Sequence, residues 1–408
     1  MSNKRMVPEV RFRGFEDCWY SSTIQDIALF RRGSFPQPYG LKKWYDGPEK
    51  MPFIQVVDLC DNMSLKKQTQ QYISKIGQDY SVFIPSKSVI VTLQGSVGKV
   101  AITNYDAYLD RTLLWFEKFI HQTDKFMWSY LIYNKFEIEK KLAPGGVIKT
   151  ITKDVLKDFK IVLPTYQEQY KIGEFFKNID NLITQTNNKL DKLKDVKKSL
   201  LNKMFPLEGK LVPEIRFKNF SENWKKFQFS EHFYKTGSIN INGLKLESYS
   251  VTNSDGFVNQ KELFKIGGIA VYADKSKSRV IEPNTFAYNP ARIDVGSIAY
   301  WDKNYNILIS PMYECFKSSN YLNDNFLIQW FKTDKFNEIV INDREGGVRM
   351  CLNFGKFTQI ETTFSDNLLE QSKIAEFLTA VDKLITLTNT KLSKLKDIKK
   401  ALLQKMFV

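Results

Sequence analysis

The chain is poor in the side chains from which most metal and acid–base sites are built. Its 408 residues include only two histidines, His121 and His232, and four cysteines, Cys18, Cys60, Cys315 and Cys351. Neither histidine sits at a metal-ligand spacing and no cysteines form a Cys-x-x-Cys pair, so no metal site is signalled. The scattered cysteines exclude a disulfide scaffold and fit a reducing cytoplasm. No apolar run approaches the ~18 residues needed to cross a bilayer. The start, Met1-Ser2-Asn3-Lys4-Arg5, has no apolar core behind it, so no secretory signal is expected. Phosphate and dinucleotide loops are missing as well. Gln94-Gly95-Ser96-Val97-Gly98-Lys99 has Leu93 where a phosphate loop needs its first glycine, and reads as a hairpin or a close backbone approach. No Gly-x-Gly-x-x-Gly follows a strand pattern, so no cofactor is expected.

Acidic residues are also short. There are 45 Asp+Glu against 60 Lys+Arg, a net charge of +15 and a pI near 9.3. This fits either a lysine-solvated surface or a polyanionic partner, of which nucleic acid is the commonest. Apolar residues at 43% and aromatics at 14% suffice for real cores, and the length suits two or three domains.

The strongest positive feature is an internal repeat. Val7-Pro8-Glu9-Val10-Arg11-Phe12 returns as Val212-Pro213-Glu214-Ile215-Arg216-Phe217, and Phe15 and Trp19 return as Phe220 and Trp224, all at an offset of 205. A longer stretch, 168–205, returns as 370–407 at an offset of 202 with about two-thirds of its positions identical. Both copies contain Lys-Leu-x-Lys-Leu-Lys-Asp-[Val/Ile]-Lys-Lys, at 189–198 and 391–400. Between the repeats, 20–160 and 225–360 share little sequence. One landmark recurs, Gly145-Gly146-Val147 and Gly346-Gly347-Val348.

The longer repeat predicts helices. Pro is absent from 168–204, and Ile172, Phe175, Ile179, Leu182 and Thr186 recur at steps of three and four. Leu190, Leu193, Leu200 and Met204 continue the stripe, and Ile374, Phe377, Val381, Leu384, Thr388, Leu392, Leu395, Leu402 and Met406 repeat it. The seam is narrow, as in a coiled coil. Pro164 precedes the first copy and Pro206 stops it. The competing reading is two core helices of one compact domain, but ~38 residues at 1.5 Å each make roughly 57 Å. Chain connectivity makes the pair antiparallel, with a globular domain at each end. The predicted fold class is α+β: two globular mixed α/β domains separated by two long antiparallel coiled-coil helices, with a pseudo-two-fold internal repeat. The corresponding segments are 1–163 (first domain), 164–205 (first long helix), 206–363 (linker and second domain) and 364–408 (second long helix).

Each middle region reads as short strands with one helix. The first has strands at Phe53-Ile54-Gln55-Val56-Val57, Ser88-Val89-Ile90-Val91-Thr92 and Lys99-Val100-Ala101-Ile102, then a helix over 125–142. The second has strands at 269–272, 285–288 and 296–300, then a helix over 325–340. Polar, basic and aromatic residues crowd the loops. Candidates for nucleic-acid contact are Arg31, Arg32, Lys42, Lys43, Gln94, Ser96 and Lys99 in the first region, and Lys275, Lys277, Arg279, Asn289, Arg292 and Ser297 in the second. Arg and Lys suit guanine edges and phosphates, Asn and Gln suit adenine. Each alone could equally be a solvated surface residue, and Arg292 could equally make an internal salt bridge. Phe176, Ile183 and Leu378 lie beside the helical stripe and are expected to be exposed for partner docking. Asn289-Pro290-Ala291-Arg292 begins like the Asn-Pro-Pro-aromatic loop of DNA amino-methylating enzymes, but Ala291 and Arg292 break that pattern.

These features resemble the specificity subunits of type I restriction–modification systems. The matching residues are the Glu-Gln-x-Lys-Ile-x-Glu-Phe…Lys-Leu-x-Lys-Leu-Lys runs at 168–194 and 370–396, the Gly-Ser-Val-Gly-Lys-Val stretch at 95–100, and 289–297 with Ser310-Pro311-Met312-Tyr313. The resemblance implies that each middle region is a target recognition domain reading one half of a split double-stranded DNA site. It implies that the helices set the spacing and bind two modification subunits, which carry S-adenosylmethionine and methylate adenine. Restriction subunits could join, with ATP-driven translocation and cleavage. The chain itself would be a non-catalytic cytoplasmic protein without cofactor or membrane contact. Two readings compete: a DNA methyltransferase or nuclease with fused recognition domains, and a protein-only coiled-coil scaffold.

Overall fold

The computed structural model describes residues 6–142, 150–263, 274–343 and 351–408. The strand expected at 269–272 and both Gly-Gly-Val landmarks lie outside the described residues. The chain forms two compact units: Met1–Asn188 with Asn389–Val408, and Lys189–Thr388. The boundary between the units therefore falls in the middle of each long helix, whereas the sequence predicts the helices as segments of their own.

In the first unit, β1 (Tyr20–Thr23) pairs antiparallel with β10 (Lys160–Leu163). A four-stranded sheet runs β2 (Ala28–Arg32), β9 (Leu113–Phe119), β6 (Val89–Thr92), β7 (Val100–Ile102). A second runs β4 (Gln71–Ile73), β3 (Met51–Ile54), β8 (Ala107–Leu109), β5 (Val82–Ile84), with β3 and β8 parallel. The second unit repeats this plan. β11 (Lys225–Gln228) pairs with β21 (Glu361–Phe364). One sheet runs β12 (Phe233–Lys235), β20 (Glu314–Ser318), β17 (Thr285–Tyr288), β18 (Ile298–Trp301). The other runs β13 (Ser238–Ile239), β16 (Arg279–Ile281), β19 (Ile307–Ile309), β14 (Ser248–Thr252), β15 (Gly256–Asn259), with β14 and β19 parallel. The middles therefore share a topology that their sequences do not show.

The helices are α1 (Lys125–Leu142), α2 (Tyr166–Lys203), α3 (Asp324–Trp330), α4 (Asp334–Asp343) and α5 (Leu368–Lys405), leaving aside pieces of five residues or fewer. One helix expected over 325–340 is two, α3 and α4. The break comes at Thr333, whose hydroxyl donates to Trp330 O and accepts from Phe336 N, ending one helix and capping the next. The strand expected through Val57 stops at Ile54. Asp58 accepts from Gln55 N at 2.8 Å and folds Val56–Asp58 into a 3-10 turn.

A repeated clasp joins each middle region to the helices. In the first unit Glu168 on α2 is 1% exposed; it takes two bonds from the Arg11 guanidinium, each 2.8 Å, and one from Trp19 Nε1 at 3.2 Å. In the second unit Glu370 on α5 takes two from Arg216, 2.6 and 2.9 Å, and one from Trp224 Nε1 at 3.1 Å. The adjacent glutamines hold the start of the domain helix: Gln169 accepts from Asp124 N and Gln371 from Asn323 N. Val10 N donates to Lys405 O, as Ile215 N does to Lys203 O. Phe12 packs on Phe175 as Phe217 packs on Phe377. The Glu-Gln pair and the Val-Pro-Glu-x-Arg-Phe segment recur because together they form this joint.

Within each unit the two helical segments run antiparallel. In the first, Phe176 stacks on Phe407 and Asp180 pairs with Lys399 at 2.6 Å. In the second, Lys197 pairs with Asp382 at 3.2 Å and donates to Leu378 O and Gln329 Oε1. Most of the predicted stripe is buried or half-buried, but Leu182, Phe377 and Leu384 turn out to solvent at 40%, 41% and 41% exposure.

Lys197 is buried with only one carboxylate beside it. Burial pushes its amine from 10.5 down to about 8, with Asp382 pulling the other way. Between those two values the unfolded chain binds more protons than the folded one, so this residue makes stability rise with pH there and lowers it at all lower pH. From pH 7 to 10, the unfolding free energy of wild type is expected to gain on that of Lys197→Met by about 2 kcal/mol. Urea melts at both pH values measure the gain, and a difference that stays flat shows an amine that titrates normally.

Candidate nucleic-acid interface

In the first unit, β2 ends in Arg31 and Arg32, both exposed. Arg32 Nε donates to the carbonyl of Arg111, in the turn between β8 and β9. The Arg111 guanidinium lies 4.6 Å above the Phe35 ring, and Phe35, Tyr39 and Tyr45 form a chain of rings with centroids 4.7 and 6.1 Å apart. Lys43 lies 4.2 Å over Trp44, whose ring packs on exposed Tyr80. Lys42 is exposed, and its nearest carboxylate is Asp46, at 3.7 Å. Arg32, Lys42 and Lys43 thus join one aromatic, cationic edge. The sequence reading missed Arg111 and Tyr80 at that edge. The only signal for Arg111 was an Asp-Arg-Thr turn, in which Asp110 Oδ1 accepts from Thr112 N.

Gln94, Ser96 and Lys99 sit on a different element, the hairpin between β6 and β7. Gly98 has φ +82°, and a Cβ there would lie 2.5 Å from Phe136 Cβ, so this glycine serves close packing. Ser96 is exposed, Gln94 bridges Thr150, and Lys99 pairs with Asp61 at 2.9 Å.

The second unit has the equivalent turn between β19 and β20. Arg279 donates to Gly237 O at 3.2 Å and to Pro311 O at 3.4 Å, so its guanidinium braces the turn as Arg32 braces that of Arg111. The exposed residue at the tip is Met312. Lys277 is exposed, and Lys275 reaches Gln260 Oε1 at 3.5 Å. Asn289 and Ser297 are buried, at 8% and 1% exposure. Asn289 Oδ1 accepts from Ala291 N and Ser297 donates to Val251 O, so both shape the loop behind Arg292 and do not face solvent. Arg292 is exposed and forms no ion pair among the described residues.

The expected exposure of Phe176 and Leu378 is corrected: both are fully buried. Phe176 is covered by Tyr130 on α1 at 5.0 Å and by Phe407, and Leu378 by the aromatic core that α3 contributes to. Ile183 is half-buried. Among the described residues no group of three His, Cys, Asp or Glu could hold a metal ion, and no helix is long and apolar enough to cross a membrane.

Residues 16–195 match the family model for the type I restriction modification DNA specificity domain. The protein named as the MjaX type I restriction enzyme specificity subunit of Methanocaldococcus jannaschii is 31% identical over 129 residues, 31% of this chain and 30% of that protein. The MjaVIII specificity subunit of the same organism is 22% identical over 251 residues, 54% of this chain and 58% of that protein. The match therefore spans less than two-thirds of either relative. The solved type I restriction–modification S subunit of M. genitalium superposes with a TM-score of 0.63 over 99% of both chains at 16% identity. A chain from a study of complex assembly and conformational transition in a type I system superposes at 0.55, over 95% of this chain and 97% of that one, at 12% identity. The chain thus carries a type I restriction modification DNA specificity domain over 16–195, and over nearly its whole length it shares the fold of the solved type I restriction–modification S subunit.

Proposed function

We propose that the chain reads a split double-stranded DNA site, one half with each unit, and positions modification and restriction subunits without chemistry of its own. The observation that carries this is the contrast between frame and edge. Both units repeat the same clasp, helices and sheet order, yet the turn tips that the frame presents differ, with Arg111 and an aromatic row in one and Met312 and Arg292 in the other. A scaffold for proteins alone has no need of two unlike basic edges, one of them aromatic. In this reading Arg111 and Arg292 contact bases, Arg31, Lys42, Lys43 and Lys277 contact phosphates, and Arg32 and Arg279 brace the turns. Ser96 and Lys99 lie on a secondary contact.

Two measurements test this. Duplex affinity should fall linearly on a log–log plot against salt, with a slope of about −0.9 per phosphate neutralised. Arg111→Ala or Arg292→Ala should weaken specific binding by about 1–3 kcal/mol, and each should relax the choice of base in one half-site only. Salt-independent binding, or specificity lost in both half-sites together, would sink the reading. The enzyme alternative is tested by incubating the chain alone with duplex and S-adenosylmethionine. Methyl transfer there would overturn the non-catalytic role.

A further inference from the structure

The two units differ at one place where their frames are identical in plan. In the second unit the helix breaks at Thr333, and the restarted helix carries Asp334 onto α2. There the carboxylate accepts from Asn202 Nδ2 at 2.9 Å and lies 3.7 Å from Lys198 Nζ. The repeat equivalents of Lys198 and Asn202 are Lys400 and Gln404, which belong to the first unit. In that unit α1 runs unbroken for 18 residues and brings no turn to them, and the carboxylate it sets nearby, Glu137, is held by Lys140. Lys400 and Gln404 instead line a cavity of about 800 Å³ between α1, the Cys60–Asn62 loop and the helical segments.

The charge inside this cavity is one-sided once its internal pairs are removed. Every acid on its wall already has a cation: Asp61 has Lys99 at 2.9 Å, Glu137 has Lys140 at 2.7 Å, and Asp180 has Lys399 at 2.6 Å. Lys141, Lys396 and Lys400 also line it, and none of these has an ion pair among the described residues. The floor is apolar, with Tyr133, Leu403 and Phe407. The chain's own next residues, 143–149, contain no carboxylate that could be offered from within.

We infer that this cavity receives an acidic segment of a partner polypeptide, whose carboxylate takes at Lys400 and Gln404 the place that Asp334 takes at Lys198 and Asn202. The precedent inside the same molecule is what favours a carboxylate over a phosphate. The amide of Gln404 supplies one donor and Lys400 one charge, which suit a planar carboxylate, while the apolar floor suits a flanking aliphatic side chain. The inference does not depend on the DNA reading, since none of the residues that line the cavity is among the proposed DNA contacts.

The test uses the full chain and a fluorescein-labelled decapeptide that alternates Glu or Asp with Leu, followed by fluorescence anisotropy. The acidic peptide is expected to bind, and the same peptide with Gln and Asn in place of the acids should bind at least about tenfold more weakly. Lys396→Glu with Lys400→Glu should lose at least about tenfold. Lys391→Glu with Lys394→Glu, on the same helix but off the cavity wall, should leave affinity unchanged. Gln404→Leu keeps the charge and should still weaken binding, which gives an answer even if the double reversal disturbs the fold. Equal loss from both lysine pairs would show diffuse attraction and overturn the assignment. So would full affinity in Gln404→Leu, or displacement of the peptide by inorganic phosphate or by stoichiometric duplex DNA.

Discussion

Glu370→Ala is expected to destabilise the second unit by about 3–5 kcal/mol, because it strands a buried charge. The Arg216 side chain is 11% exposed, and the glutamate it faces is fully buried. Removing the carboxylate leaves that guanidinium without a counter-charge and the Trp224 indole N–H and the Ser365 hydroxyl without an acceptor. Glu168→Ala should act on the first unit in the same direction but less strongly, since Pro164 stands where Ser365 does, its carbonyl taking the Gln169 amide as Ser365 O takes that of Gln371, and Glu168 accepts one bond fewer. Glu370→Gln keeps the shape and one acceptor and should lose less than the alanine variant. Replacing both members, with Arg216→Met and Glu370→Met, should recover much of the loss, because the burden lies in the unpaired charge and not in the absence of an ion pair. Denaturant melts give the magnitudes. Hydrogen exchange then locates the effect: Glu370→Ala should speed exchange in 212–224 and leave 7–19 protected. A loss below about 1 kcal/mol, the scale of an exposed pair, would mean that the clasp does not hold the joint.

The parts of this structure that repeat were legible, because a duplication writes its own alignment. The helix bounds lie within two to four residues of the predicted ones, since Pro164, Pro206 and the apolar stripe mark them directly. What the repeat could not convey was partnership across long stretches of chain. Glu168 and Arg11 are visible as recurring residues, but their contact spans 157 positions. Phe176 and Leu378 were misplaced for a related reason. Helical periodicity tells which face meets the other long helix, yet each segment is also covered from the side by a helix of its own unit, and Tyr130 closes over Phe176 from there. At the edge proposed to face DNA, composition located the basic loops but could not separate a cation that reaches outward from one that braces. Arg279 and Arg292 look alike in sequence, and only the carbonyls of Gly237 and Pro311 distinguish them.

Paired glutamate substitutions at exposed apolar positions of the helices are expected to remove the proposed modification subunits one at a time. With Phe176 and Leu378 in the core, the apolar positions left for docking are those that stay exposed in both copies. Leu182 and Leu384 are 40% and 41% exposed, and Val196 and Ile398 are 49% and 51%. Single exposed aliphatics are ordinary, but these remain aliphatic while exposed neighbours on the same helices change, Asn181 to Lys383, Asp191 to Ser393 and Ser199 to Ala401. In the first unit the Asp180–Lys399 pair sets Leu182 and Ile398 within one turn of each other along the antiparallel segments, and the Lys197–Asp382 pair does the same for Val196 and Leu384 in the second. Each unit thus offers its own apolar couple, so a partner that recognises one should recognise the other, as the proposed docking of a modification subunit on each unit requires. Leu182→Glu with Ile398→Glu should leave one subunit bound on co-purification, Leu384→Glu with Val196→Glu the other, and all four together none. Melting temperature should hardly move, because a glutamate at these positions stays in water. Two subunits retained by the fourfold variant would place the docking surface elsewhere, and loss of both subunits from either double variant would mean that the two sites are not independent.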